Sequence, residues 1–227
     1  AITASRELEL TLTGKECGQE ERAPMCGIPF HAVDNYIAKL ISKGYKVAIC
    51  EQMEDPKLAK GMVKREVVRI VTPGTVIETN LLDEKKNNYI MSIYKNGIYY
   101  GISVCDLSTG DFRSTQIKET NNFSILVDEI SRYSPAEIVV NENMYNSQEE
   151  ISKIKERFSV YITNLENEYF SEEYDQLLLR YNILDENNEK VENLLEKLFC
   201  VTSINGLLKY LYETQKNKLD HINTIHL

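Results

Sequence analysis

Between Tyr89 and Ile117 three β-prone runs follow one another with only two short turns between them. Tyr89–Tyr94, Ile98–Asp106 and Asp111–Ile117 are separated by Lys95-Asn96-Gly97 and Ser108-Thr109-Gly110. Asn-Gly between such runs is a hairpin signal, because both residues accept the positive φ of a tight primed turn. The period then changes. Phe123–Tyr133 reads as helix, Glu137–Asn141 as strand, Ser147–Arg157 as helix and Val160–Thr163 as strand. A meander followed by alternating helix and strand implies a mixed sheet with helices on its faces. Glu172–Tyr181 and Val191–Phe199 read as helical. Ser203–Lys218 is a further helix, with Leu207, Leu208, Leu211 and Tyr212 on one side, expected to point out of the domain.

The first 75 residues have a different grammar. Ala1–Leu10 ends a helix, Leu10–Thr13 alternates as a strand closed by Gly14, and Gly18–Gly27 reads as a loop. From Ala32 the residues Val33, Tyr36, Ile37, Leu40 and Ile41 make a helical stripe. Gly44 sits where a left-handed C-terminal residue belongs. Tyr45–Cys50 and Val63–Val71 read as two strands, and Pro73-Gly74 with the polar Glu78–Asn88 breaks the chain in two. The 227 residues suffice for two modest cores.

Charge divides at the same place. The net charge is −9, but residues 1–75 hold 11 Lys and Arg against 10 Asp and Glu, leaving 15 against 25 for the remainder. Any basic patch must therefore lie in the first third, and the acidic rest suits protein contacts better than a phosphate backbone. The five cysteines are scattered without CxxC or Cys/His clustering, which argues against zinc or a disulfide framework. They read as reduced thiols, mostly in the core of a cytosolic protein. No apolar run approaches the roughly 20 residues needed to span a bilayer.

The stretch Pro24–Gln52, PMCGIPFHAVDNYIAKLISKGYKVAICEQ, closely resembles a signature of the MutS mismatch-repair family, as does Glu54–Thr75, EDPKLAKGMVKREVVRIVTPGT. CDLSTGDF (Cys105–Phe112) is similar to a strand–turn–strand of that family's connector domain, and LKYLYETQKNKLDHI (Leu208–Ile222) to the passage into its core domain. The resemblance is dense over the first 75 residues and thin between about 118 and 200. It implies an α/β fold of two domains. A truncated mixed α/β mismatch-binding domain would occupy 1–75 and a linker 76–87. A connector with a ribonuclease-H-like mixed sheet would occupy 88–200, and 201–227 would be a helix leading to a core domain absent from this sequence.

The resemblance also implies a parent that forms homodimers, binds mispaired or looped double-stranded DNA, and signals through the connector to MutL-type partners. ATP and Mg would belong to a separate ATPase domain of that parent, so this chain is expected to be a non-enzymatic, cofactor-free monomer. Its expected location is cytoplasmic and nucleoid-associated. Beginning without Met and straight into a helical pattern, it reads as a fragment and as a weak or incompetent DNA binder by itself. Two departures from the family stand out. By resemblance the mismatch-probing Phe-x-Glu element would lie upstream of Ala1, and Phe170-Ser171-Glu172 matches it only formally, inside an acidic run. There is also no GxxxxGK[ST], and Gly14-Lys15 alone does not make a phosphate loop.

The leading site candidate is Met25-Cys26-Gly27-Ile28-Pro29-Phe30-His31. Small and apolar groups beside Gly and Pro suit close approach to a widened minor groove, and by resemblance this loop lies next to the mismatch. The plainer reading is a loop that packs its own helix, with Gly and Pro serving the backbone and His31 a helix-start or core residue. Strand alternation puts Arg65 and Arg69 on one face and Lys64 with Val68 on the other. Either arginine suits a phosphate contact, which positions DNA without reading sequence, or an ion pair with Glu54, Asp55 or Glu66. Asp106, Asp111 and Glu129 raise a metal-dependent nuclease, which needs three or four carboxylates converging within about 4 Å of a metal pair. No second partner on the strands is evident, so a turn-forming aspartate and a solvated face are expected. A stand-alone interaction module using the connector alone is the remaining alternative.

Overall fold

The computed structural model describes residues 1–18, 21–57, 61–76, 87–120, 123–216 and 219–227, so the expected linker lies outside the described residues except at its two ends. The first unit comprises α1 (Ile2–Leu8), β1 (Thr13–Lys15), β2 (Ala23–Met25), a 3-10 turn at Phe30–Ala32, α2 (Val33–Ser42), β3 (Val47–Gln52) and β4 (Arg65–Val71). The predicted stripe of α2 buries Ile37 and Ile41 against Val71 and Val76, with Val33, Val47 and Ile49 around them. Gly44 closes the helix at φ 82°. One expectation shifts here: Gly14 lies inside β1, and part of the Gly18–Gly27 loop pairs with it as β2.

The second unit holds β5 (Tyr89–Asn96), β6 (Tyr99–Asp106), β7 (Asp111–Lys118), α3 (Ser124–Tyr133), β8 (Glu137–Val140), α4 (Glu142–Tyr145), α5 (Gln148–Arg157) and β9 (Tyr161–Asn164). It continues with α6 (Asp175–Arg180), β10 (Asn182–Leu184), α7 (Leu198–Gln215) and β11 (Thr224–His226). One seven-stranded sheet results, in the order β10-β11-β7-β6-β5-β8-β9. β5, β6 and β7 are antiparallel, and β8 and β9 add in parallel beside β5. This is the mixed sheet expected after a meander, and its arrangement suits a ribonuclease-H-like unit.

Period-two alternation sends the strand residues to two cores. Met91, Ile93, Ile102, Val104, Ile138 and Val140 meet α3 and α5 on one face. Ile90, Cys105, Phe112 and Val139 meet α7 and the segment around Leu165–Ile183 on the other. Each fully buried aliphatic or phenyl side chain contributes about 1.5–3 kcal/mol relative to exposure.

The final helix departs from expectation. α7 does not point out of the domain; Cys200, Val201, Ile204, Leu207 and Leu211 are buried against the sheet, and Leu219, Ile222 and Ile225 return the chain into the core at β11. Polar residues of α7 bond their own helix, and Ser203 Oγ also pairs with Ser103 Oγ on β6 at 2.7 Å. Thr202 Oγ1 donates to the Leu198 carbonyl, Ser203 Oγ to Cys200 and Thr214 Oγ1 to Tyr210, at 2.8–3.0 Å. A buried hydroxyl bonded to its own helix carries little penalty, so polarity did not report exposure here. Gly101 lets α7 lie down: a Cβ there would come within 1.8 Å of the Phe199 carbonyl oxygen.

Candidate nucleic-acid interface

The loop at Met25–His31 is anchored at both ends. At its start Met25 pairs with Thr13, and Thr13 Oγ1 donates to the Met25 carbonyl at 3.0 Å. At its end Pro29 is extended at φ −62° and ψ 138°, and the Ala32 N–H donates to the Pro29 carbonyl at 3.0 Å. That tight turn feeds directly into α2, which the Ile37/Ile41 core holds in place.

Between these anchors the apolar side chains face outward. Phe30 is 92% exposed and Met25 45%, while Cys26 and Ile28 are half-buried. The phenyl ring forgoes the roughly 1.5–3 kcal/mol that burial would give. Phe30 is thus not turned in against α2, as a loop packed on its own helix would have it. His31 is exposed at the start of α2, the helix-start half of its sequence reading.

Gly27 separates the backbone explanation from the surface one. Its φ lies outside the left-handed region, and a Cβ built on it would meet nothing within 4 Å. Neither conformation nor internal packing asks for glycine at this position. The position therefore leaves bare backbone open to solvent.

The two arginines do not share a face. In the β3–β4 ladder Cys50 pairs with Val67 but Ile49 pairs with Arg69, so Val68 is an extra residue in β4. A bulge of one residue inverts the alternation beyond it. Arg69 consequently falls on the side of Val71 and Ile49, is half-buried, and donates from Nη2 to the Thr75 carbonyl at 3.1 Å. Arg65 stays exposed at the outer end of the strand. Lys64 pairs with Glu66 at 2.6 Å, and Glu54 accepts from the Lys64 N–H at 2.7 Å.

Gly14 and Lys15 sit in the β1–β2 ladder opposite Pro24 and Ala23, not at a helix N-terminus, so these residues do not fit an ATP–Mg group. Asp106 is buried and turns one oxygen to the Ser108 N–H and Oγ, at 2.9 and 2.7 Å. Asp111 faces Arg113 at 3.0 Å and accepts from the Tyr89 hydroxyl at 3.0 Å, while Glu129 lies 3.7 Å from Arg132. Among the described residues no three His, Cys, Asp or Glu come together as a metal-binding group. Phe170 is buried, with its ring 5.6 Å from that of Tyr94. Of the cysteines only Cys105 and Cys200 are in the core, whereas Cys17 and Cys50 are exposed, fewer than expected.

One functional-looking residue escaped the sequence reading altogether. Glu137, read only as the start of a strand, is a fully buried carboxylate between the two units. A lone acid leading the apolar run EIVV was the available signal.

Two family models match the chain: MutS domain I over residues 1–80 and MutS domain II over residues 88–223. The second match takes in all of α7. Over 227 residues the chain is 56% identical to the DNA mismatch repair protein MutS of Acetivibrio thermocellus, covering 100% of this chain and 26% of that protein. It is 55% identical over 223 residues to the protein of the same name from Ruminiclostridium cellulolyticum, covering 98% and 25%. For that of Clostridium tetani the identity is 48% over 223 residues, covering 98% and 24%. The chain spans about a quarter of the length of these relatives.

Proposed function

Because this chain belongs to the MutS family, we propose that it supplies the part of a longer mismatch-recognition protein that lies against mispaired or looped duplex DNA, together with the connector unit behind it. The observation that carries the reading is Phe30, held out in solvent beside Met25 on a loop whose Gly27 has no internal reason to be glycine. Apolar side chains and bare backbone are what a widened minor groove accepts. Charge points the same way, since only the first unit escapes the strongly acidic balance that repels phosphates. Arg65 provides a phosphate contact that positions the duplex without selecting sequence. The acidic second unit is the face for a MutL-type protein. Homodimerisation and the handling of ATP and Mg belong to regions of the parent outside this sequence.

The test uses the longer protein and fluorescence anisotropy with duplexes that carry one mispair or none. Phe30→Ala weakens binding to the mispaired duplex by roughly tenfold and binding to the matched duplex far less. Arg65→Ala weakens both equally and lowers the salt dependence by about one counterion. Wild-type discrimination in Phe30→Ala would remove the loop from the DNA. A pull-down of a MutL-type partner by this chain, lost on deleting residues 88–227, checks the second half.

A further inference from the structure

A fully buried acid lies where the two units meet. Glu137 opens β8, has no solvent exposure, and divides its two oxygens between partners. Oε2 accepts from Thr72 Oγ1 at 2.5 Å and from the Gly74 N–H at 3.2 Å, both in the first unit. Oε1 accepts from Tyr210 OH on α7 at 2.7 Å and from Thr163 Oγ1 on β9 at 3.1 Å, both in the second. Lys46, just ahead of β3, brings its Nζ within 3.7 Å of Oε1 and donates to Thr163 Oγ1 and Tyr210 OH at 3.2 and 3.0 Å.

The Thr72–Thr75 turn is prepared for this role. Thr75 Oγ1 accepts from the Thr72 N–H at 2.9 Å, the Thr75 N–H donates back to the Thr72 carbonyl at 3.1 Å, and both threonines are fully buried. Contacts around the acid follow the same seam. The Tyr161 hydroxyl donates to the Ser42 carbonyl at 3.0 Å, and a Cβ on Gly44 would fall 2.2 Å from the Tyr161 ring. Burial, and then the charge of Glu137, push the Tyr210 hydroxyl well above the ordinary tyrosine range, so it remains a donor.

A buried carboxylate is tolerated only while its acceptor sites are filled. Parting the units strips Glu137 of Thr72, Gly74 and Lys46 and leaves it with Thr163 and Tyr210 alone. We propose that Glu137 is the positioning residue that fixes the first unit, and with it the Met25–His31 loop, at one angle to the seven-stranded sheet. What makes it an inter-unit lock is that Oε2 takes its hydrogen bonds from the first unit and Oε1 takes its own from the second, with Lys46 of the first unit also facing Oε1. The inference stands independently of what the loop binds.

The test is amide hydrogen exchange with small-angle scattering on the 227-residue chain. Glu137→Gln keeps the shape and removes the charge, and Thr72→Val removes one donor from the opposite unit. Exchange at residues 42–47 and 70–76 rises by roughly ten- to a hundredfold in Glu137→Gln and by a smaller factor in Thr72→Val. The distribution of interatomic distances broadens, and amides of β5 and β6 keep their protection. If Glu137→Gln does not fold, Thr72→Val decides. Unchanged exchange at both segments in Thr72→Val, or loss of protection spread evenly into β5 and β6 in Glu137→Gln, overturns the proposal.

Discussion

Replacing Gly27 by Ala separates the two explanations for this loop, because they predict opposite signs. With φ outside the left-handed region and nothing within 4 Å of the new Cβ, alanine fits the folded loop without displacing an atom. The unfolded chain meanwhile loses conformational freedom, so the variant should be more stable by about 0.4–1 kcal/mol. Urea denaturation followed by circular dichroism reads this as a higher midpoint at unchanged slope. Gly44→Ala is the control: its φ of 82° alone costs about 1–2 kcal/mol, and its Cβ would drive into Tyr161. On DNA the order reverses. A methyl that holds the groove 0.5–1 Å off forfeits about a quarter to a half of each dispersion contact at the loop. Summed over a few contacts this is about 1 kcal/mol, or roughly fivefold weaker binding of mispaired duplex by the longer protein. A Gly27→Ala variant destabilised by more than about 1 kcal/mol would show that the backbone needs the glycine. One that binds mispaired DNA like the wild type would show that nothing approaches it.

Gly101→Ala should cost more than about 3 kcal/mol in the same denaturation assay, since its Cβ meets the Phe199 backbone and α7 must lift from the sheet; a loss under about 0.5 kcal/mol would mean that α7 does not lie there. Stability should fall as pH rises above about 10. Burial, then the hydrogen bond to Glu213, pushes Tyr169 up to about 12, and burial likewise raises Tyr181 and Tyr100. The unfolded chain releases these protons first, so the contribution present below pH 10 falls progressively as pH climbs through about 12 and beyond. A denaturation midpoint flat from pH 9 to about 11.5 contradicts it. Thiol labelling with an aromatic disulfide should modify Cys17 and Cys50 rapidly. Cys105 and Cys200, the latter pushed up to about 11 by burial, should react only on unfolding.

The sequence made legible what is local. The turns at Gly97 and Gly110, the α2 stripe ending at Gly44, and the change of period after Ile117 all encode short-range choices, and the meander with its flanking helices followed from them. Three features were hidden because a distant residue decides them. The bulge at Val68 carries no glycine or other mark in β4, so the alternation that seemed to pair Arg65 with Arg69 was followed straight through it. The docking of α7 was hidden because its polar residues Thr202, Ser203 and Thr214 bond their own helix, and a hydroxyl so satisfied cannot be told in sequence from one that bonds water. Strands β10 and β11 are three residues each, too short to show a period, and exist because they pair with one another and with β7. At the site, sequence named the loop, but only coordinates could show that Phe30 faces outward and that Glu137 is enclosed.

The most direct measurement is a nuclear magnetic resonance titration, which registers even weak binding, of the isotope-labelled chain with a short duplex carrying one mispair. Amide shifts should change first at Met25–Ile28, Phe30, His31 and Arg65, with smaller changes for a matched duplex and none along α6 and α7. Shifts concentrated on the acidic second unit, with the loop silent, would contradict it.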